Sequence, residues 1–299
     1  MILADMNPPC LPDLGENTLF ETDRQRLIEQ IKAERVRVLS MLGERLAQGE
    51  DTGSTAAARL AHWTDVLITG LFEQIQHAKP ESRRTPMALV GLGGYGRGQL
   101  APHSDIDLLF LTQNPISDDA AGAVEALLYV LWDAGFKVGQ AVRSMSQCMT
   151  EANDDVRTLT SMIENRLITG DVGLAARMDD KIKQLLRGGR SRRFTDEKMA
   201  ERRNRYMQPG NSRYALEPHV KEGIGGLRDL HTLYWITQAR FDGTGAALLH
   251  EQGLLTAGQA ERMRTAETFF WTVRFHLHLL TGRGEDRLNF DLQLDVAKA

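Results

Sequence analysis

The chain has 299 residues, of which 42% are hydrophobic and 25% charged, and its formal net charge at pH 7 is −4. This balance is typical of a globular protein with one large or two ordinary domains, and it argues against a general binder of nucleic acids or membranes. The two cysteines, Cys10 and Cys148, exclude a disulfide scaffold, and no run of about 18 apolar residues could span a bilayer. Because the first ten residues also lack the pattern of a signal peptide, we expect a cytoplasmic protein with no membrane partner.

Two helices are predicted before the first strand. Residues 1–20 are rich in Pro, Asn and Gly and are expected to be loose. Apolar residues then recur on one helical face over 22–48 and again over 55–77, with a break at 49–54. Neither helix carries a chemical motif, so residues 21–80 are interpreted as a helical packing arm.

A glycine-rich turn follows a short apolar strand at 87–90. Five of the eight residues 91–98 are glycines, which lose too much backbone entropy to form a stable helix or strand interior. They suit a turn whose bare N–H groups face a ligand, and phosphate is the usual occupant of such a concavity. Gly93 and Gly94 are the candidate phosphate-binding residues, and Arg97 either adds a charged contact or fixes the turn.

The next predicted strand, 105–111, opens with two aspartates. Because side chains alternate along a strand, Asp105 and Asp107 should share one face, with Cα atoms roughly 6–7 Å apart. Two carboxylates so placed can hold one divalent cation or share a pair of them. We therefore take both as catalytic and metal-binding candidates, for Mg²⁺ or alternatively Mn²⁺.

Two other interpretations of this stretch compete with a phosphate and metal site. Gly91, Gly93 and Gly96 match the dinucleotide-binding fingerprint, which requires a helix that crosses back over a parallel sheet. Such a crossover takes a dozen or more residues, whereas eight separate Gly96 from Asp105, so we reject that fingerprint. The other alternative is an ordinary glycine loop before a strand with two exposed aspartates.

The remaining predicted elements are helices, except for one strand at 136–143. The helices span 120–133, 151–170, 173–186, 227–240 and 259–280. Residues 181–205 carry ten basic and three acidic side chains, a local net charge of +7 that either attracts a nucleotide or an acidic partner, or forms a solvated surface.

Two further basic residues and a pair of histidines lie in the second half of the chain. Lys221, in a glycine-broken loop, and Arg228, at the start of the following helix, are candidates for triphosphate contacts, with plain surface roles as the alternative. His276 and His278, in the last long helix, are interpreted as packing or surface residues rather than ligands.

Three blocks of the sequence resemble one family. The motif GGYGRGQLAPHSDIDLL resembles the signature of the bacterial PII-protein uridylyltransferases, which belong to the DNA polymerase β-like nucleotidyltransferases. The segments at 213–235 and 271–293 resemble the regions that follow that signature in the same family. The resemblance implies an α+β fold in which a nucleotidyltransferase domain with a small mixed sheet is flanked by the N-terminal arm and a C-terminal helical domain.

The resemblance also implies an activity and its partners. UMP would be transferred from UTP to a tyrosine of the nitrogen-regulatory PII protein, with release of pyrophosphate. Ser104 would join Gly93, Gly94, Arg97, Lys221 and Arg228 as a nucleotide-binding residue. Full-length family members add a uridylyl-removing HD domain and glutamine-sensing ACT domains, which we do not find here, so a fragment is expected. The domains expected are a transferase domain at 81–175 and a helical domain at 176–299.

Some questions stay open at this stage. The superfamily usually has a third acidic ligand on a neighbouring strand, where this sequence has Gln140; the substitutes to consider are Glu151, Asp154, Asp155 and Glu164. A tRNA or poly(A) nucleotidyltransferase is the alternative enzyme, although nucleic acid is not the expected partner. A non-catalytic fragment that only docks PII is the alternative outside catalysis.

Overall fold

The computed structural model describes residues 21–208, 212, 214–241 and 243–299. Helices α1 (Glu21–Ala47) and α2 (Gly53–Ala78) form the predicted N-terminal arm. The Thr52 hydroxyl accepts a hydrogen bond from the Thr55 N–H, which caps α2 at the break expected from the sequence. The stretch 1–20, expected to be loose, lies outside the described residues.

A small mixed sheet follows the arm. In the described residues its strands are β1 (Met87–Gly91), β2 (Ile106–Thr112), β3 (Val138–Ser144) and β4 (Arg166–Gly170), in the order β3-β2-β1-β4. β1 is antiparallel to both β2 and β4, whereas β2 and β3 are parallel and are joined through helix α4 (Asp118–Asp133). The small mixed sheet expected from the sequence is confirmed.

The two faces of the sheet are buried against different layers. Ile106, Leu108 and Phe110 of β2 pack into the core formed with α1, α2 and α4. Leu109 and Leu111 face the second core, which lies beneath the helices that follow β3. The alternation along β2 therefore places the face that carries Asp107 opposite to the arm.

The other elements after β3, apart from β4, are helices joined by loops. They are α5 (Met145–Asp154), α6 (Val156–Ile163), α7 (Val172–Leu185), α8 (Gly189–Tyr206), α9 (Leu227–Phe241), α10 (Ala246–Glu251), α11 (Ala257–Thr281) and α12 (Phe290–Lys298). The predicted boundary between the transferase domain and the helical domain, at residue 175, falls inside α7. Leu174 and Met178 of this helix pack into the second core beside the sheet. The division into domains stays a prediction.

One predicted helix is wrong. The stretch 151–170 is not a continuous helix but the end of α5, then α6, then strand β4. Asp155 breaks it, because its carboxylate accepts hydrogen bonds from the N–H groups of Arg157 and Thr158 and so starts a new helix. Leu167 continues the helical spacing of apolar residues, yet it lies on β4 and pairs with Val90. The short, half-exposed strand has no alternating pattern that would reveal it.

The described chain is thus an α+β structure, and the predicted fold class is confirmed. Over the described ranges, no helix combines the length and the apolar character that crossing a membrane requires. Cys148 is buried beneath the sheet, and burial raises the pKa of its thiol to about 11, so it is not a reactive thiolate at neutral pH. Cys10 lies outside the described residues.

Candidate active site

The aspartate pair stands at the start of β2 on an open part of the sheet. Asp105 and Asp107 are exposed, whereas Ile106 between them is buried, so the two carboxylates share one face. Among the described residues, no Lys, Arg or His nitrogen lies within 4 Å of either carboxylate. Although Asp107 reaches solvent, partial burial of its carboxylate and the negative charge of Asp105 raise its pKa, and the more distant Lys221 opposes this shift. The two carboxylates are therefore not neutralised by any described cationic side chain, an arrangement that favours the binding of a cation.

The pair faces a cleft of about 790 Å³ between the sheet and the C-terminal helices. All the predicted site residues line it, although they come from three separate segments of the chain: Gly93, Gly94, Arg97, Ser104, Asp105, Asp107, Lys221 and Arg228. Their roles stay predictions, but the fold brings them into one space large enough for a nucleotide.

The glycine turn forms one side of the cleft. It contains a single helical turn, α3 (Gly93–Gly96), in which three of the four residues are glycines. As the first residues of that turn, Gly93 and Gly94 donate no N–H hydrogen bond to any described residue. Gly93 has a φ of +56°, which a residue with a Cβ rarely adopts.

Neither the backbone conformation nor the packing requires glycine at position 94. A Cβ added there would meet nothing closer than the Arg97 side chain and the Gln99 carbonyl, both at 3.6 Å. These are ordinary contacts, so the structure itself would accept alanine. The missing side chain leaves the free N–H groups open to the cleft, where a bulky anion could approach them closely.

Arg97 fixes the turn. Its Nη1 donates to Oε2 of buried Glu164 at 2.5 Å, and its Nε donates to Gln99 at 3.1 Å. Its Nη2 lies 3.3 Å from Nε2 of His231. Burial and the nearby Arg97 charge lower the pKa of His231 well below its ordinary value, so the ring is neutral and can accept from Arg97. Of its two predicted roles, the structural one is the better supported.

Lys221 and Arg228 both face the cleft, but they differ in their contacts with acidic side chains. Arg228 donates to Glu222 at 2.8 Å and stacks over the Trp235 ring at 5.3 Å, so its charge is already partnered. Lys221 forms no ion pair with any carboxylate in the described ranges. Burial, followed by the charges of Arg274 and Arg228, lowers its pKa. An anion in the cleft would relieve that repulsion, so Lys221 is the stronger phosphate candidate.

A network that the sequence did not reveal ties α11 to the loop before the aspartates. Arg274 donates to Asp286 at 2.7 Å and to the Ser104 hydroxyl at 3.1 Å. His278 contacts Asp286 through Nε2 at 3.2 Å, and its Nδ1 accepts from the His103 N–H at 3.2 Å. Burial alone would raise the pKa of Asp286, but the His278 hydrogen bond and the Arg274 charge outweigh it and lower that pKa. Ser104 is thus held by an arginine.

His276 and His278 are both buried, as the packing interpretation expects, although His278 also lines the cleft. Arg274 and Asp286 show no local motif, because they meet only when α11 packs beside the loop that follows it. The one sequence signal that could have pointed to them is the family resemblance of the segment 271–293, which contains RFHLH (274–278) and GEDR (284–287).

The expected third acidic ligand is not found. Gln140 pairs with Leu108, so it lies on the face opposite to the aspartates; Gly139 is the residue paired with Asp107. The four substitutes are engaged elsewhere: Glu151 with Arg143, Asp154 with Asn153, Asp155 as the α6 cap, and Glu164 with Arg97. Within the described residues, no group of three or more His, Cys, Asp or Glu side chains could hold a metal ion.

At least five of the ten basic side chains in the stretch 181–205 contact a carboxylate within the fold. Arg190 and Arg193 both contact Glu197, and Arg202 and Arg205 both contact Asp229. Buried Lys198 contacts Glu201 and lies 4.7 Å over the Trp235 ring at the cleft. The solvated-surface interpretation fits most of α8, while Lys198 and Arg205 line the cleft.

Comparison with known proteins identifies relatives over almost the whole chain. Residues 193–299 match a family model described as GlnD PII-uridylyltransferase. The chain is 38% identical over 299 residues to a "Bifunctional uridylyltransferase/uridylyl-removing enzyme" of Novosphingobium aromaticivorans, a match that covers 99% of this chain and 32% of that enzyme. An enzyme of the same name from Rhodospirillum rubrum is 39% identical, with 97% of this chain and 33% of the relative covered.

The chain spans about one third of the length of these curated relatives. Their names designate a uridylyltransferase, a kind of nucleotidyltransferase, which agrees with the enzyme class expected from the sequence. The recognition based on the three motif blocks is confirmed: this chain is a relative of the bifunctional uridylyltransferase/uridylyl-removing enzymes and carries the GlnD PII-uridylyltransferase match in its last third.

Proposed function

We propose that this chain transfers UMP from UTP to a tyrosine hydroxyl of a PII protein and releases pyrophosphate. The observation that carries the proposal is the exposed pair Asp105 and Asp107 beside the free N–H groups of Gly93 and Gly94 in one cleft. The relatives' names supply the uridylyl group, and the family model's description supplies PII.

The residues present fit a divalent metal ion. Asp105 and Asp107 would hold Mg²⁺, since the pair lacks a cationic partner in the described chain. The raised pKa of Asp107 reflects burial and repulsion by Asp105, and a bound cation would offset both. With two protein carboxylates, the remaining ligands would be water and phosphate oxygens, which Mg²⁺ commonly keeps. When bound, the ion would neutralise the charge that builds on the phosphate oxygens during transfer.

The protein's own groups account for binding and orientation. The Gly93 and Gly94 N–H groups would hold the outer phosphates of UTP, and Lys221 would offset part of their charge from the helical side of the cleft. The tyrosine oxygen attacks the α-phosphorus, the bond to pyrophosphate breaks, and the hydroxyl proton is released. Arg97 and Arg274 act indirectly, because they hold the glycine turn and Ser104 in place.

The test is incubation of the chain with purified PII, Mg²⁺ and each of the four nucleoside triphosphates, followed by intact-mass measurement of PII. We expect one added UMP per modified tyrosine with UTP, and none after the metal is chelated. No labelling of PII with any nucleotide, together with labelling of RNA, would instead support the tRNA or poly(A) class.

A further inference from the structure

The open edge of the sheet lies directly beside the aspartate pair. In the order β3-β2-β1-β4, β3 has a neighbouring strand on one side only within the described part of the chain. Gly139, Gln140 and Val142 on this strand are exposed, and Val142 keeps 37% of its surface accessible. Asp107 pairs with Gly139 across the parallel ladder, so the edge is one strand away from the candidate catalytic carboxylate.

The register determines which backbone groups face outward. The Ile106 N–H donates to the Lys137 carbonyl at 2.8 Å, and Ile106 is paired with Val138. In a parallel ladder this pattern directs the backbone groups of the odd-numbered residues of β3 toward β2. The N–H and C=O groups of Gln140 and Val142 therefore point away from the sheet, and no described residue forms a hydrogen bond with them.

The carboxylate of Asp107 separates the glycine turn from β3. A Cβ added at Gly93 would lie 3.5 Å from Oδ2 of Asp107, and one added at Gly139 would lie 2.5 Å from Oδ1. Phosphates held by the glycine turn would thus lie on the Oδ2 side. In an in-line displacement the attacking oxygen enters opposite to the leaving group. The acceptor must then approach from the Oδ1 side, past Gly139, which has no side chain of its own.

We propose that the acceptor protein docks on the open edge of β3, where an extended segment next to its tyrosine adds as a further strand along Gln140 and Val142. This proposal rests on the proposed function and names how its protein substrate is held. A row of outward N–H and C=O groups fits the backbone of an extended peptide. Such docking would recognise the extended backbone of the acceptor rather than its side chains. It would place the hydroxyl of the acceptor tyrosine beside Gly139. A second copy of this chain is the competing occupant.

Proline variants test the edge. Gln140→Pro and Val142→Pro each remove one outward N–H without removing a hydrogen bond to β2. We expect each to lower kcat/KM for PII at least about tenfold, the equivalent of one lost hydrogen bond, while UTP binding in the presence of Mg²⁺ stays unchanged. Val172→Pro is the matched control, because Val172 is 69% exposed at the first position of α7, where proline is favoured.

Hydrogen exchange on the unmodified chain gives a second measurement that needs no variant. With a non-transferable UTP analogue and saturating PII, the amides of Gln140 and Val142 should exchange at least about tenfold more slowly than in the free chain. Unchanged exchange with PII bound, or proline variants with kcat/KM within twofold of the parent, would overturn the proposal. Protection that depends on chain concentration without PII would overturn it in favour of self-association.

Failure of the proposed function is distinguishable from failure of the docking surface. If the function is wrong, the unmodified chain labels no tyrosine of PII. If only the docking surface is wrong, the unmodified chain labels PII and the proline variants label it equally well.

Discussion

The cleft has two walls that are built in different ways. The sheet wall comes from one continuous segment, 93–107, which brings the glycine turn and the aspartate pair together through adjacent strands. The helical wall comes from α8, the loop before α9, α9 itself and α11, and contributes Lys198, Lys221, Arg228 and Arg274.

The walls also differ in how their polar groups are used. On the sheet wall, the N–H groups of Gly93 and Gly94 and the carboxylates of Asp105 and Asp107 have no partner among the described residues. On the helical wall, Lys198, Arg228 and Arg274 are each paired with an acid, whereas Lys221 contacts no carboxylate of the described residues. The predicted reactive groups thus come mostly from a local segment, while the distant elements mostly supply ion pairs and hydrogen bonds that hold it. Four sets of substitutions test this contrast.

Asp105→Asn and Asp107→Asn should have the largest effect. Each keeps the shape of the side chain and removes the charge that would bind metal, so we expect kcat to fall at least about 1000-fold. Transfer to PII is measured by intact mass. Thermal unfolding at pH 7 should show no loss of stability for Asp107→Asn, because a raised pKa in the folded state means that the fold disfavours the charged form. Near-normal transfer by both variants would reject the assignment.

Arg97→Met should act mainly on stability. It would leave Glu164 buried without its partner, and breaking such a pair costs about 3–5 kcal/mol. Urea unfolding measures this loss. The double variant Arg97→Met with Glu164→Gln removes the stranded charge and should recover a large part of it. If Arg97→Met unfolds like the parent but has a higher KM for UTP, Arg97 is a substrate contact and belongs with the reactive groups.

Lys221→Met should weaken UTP binding without a comparable loss of stability. A charged hydrogen bond is worth about 1.5–3 kcal/mol, so KM for UTP should rise about 10- to 100-fold. Because burial and neighbouring arginines lower the pKa of Lys221, loss of its charge should not destabilise the fold. Lys181→Met, on the exposed surface of α7 within the basic stretch, is the control and should leave KM unchanged. Equal effects of the two variants would point to general charge attraction instead.

Gly94→Ala should produce the smallest of the four effects. The protein has room for the added methyl group, so thermal unfolding should match the parent. The methyl group would keep phosphate from approaching the free N–H groups, and we expect UTP affinity to fall about tenfold, or about 1.4 kcal/mol. Gly94→Val should also fold, but it should lose more activity than Gly94→Ala. A normal UTP affinity in Gly94→Val would count against the phosphate cradle.

Periodicity and local motifs were sufficient for much of the fold. α1, α2, α4 and α11 lie where the apolar spacing predicts them, and β1 and β2 flank the glycine turn as expected. The missed strand β4 shows the limit: its residues satisfy helical spacing, and only pairing with β1 makes them a strand. Strand identity there depends on a partner some 80 residues away in sequence, which periodicity does not contain.

The sequence by itself determined the aspartate pair, because alternation along one strand is enough to place two carboxylates on one face. It also determined the glycine turn beside the pair, since the two are adjacent in the chain. Only the tertiary structure decided that Arg97 and Arg228 have acidic partners while Lys221 has none in the described ranges, and that Gly139 rather than Gln140 neighbours Asp107. Ion pairing and strand register join residues that are distant in the chain, so they follow from packing and not from local pattern.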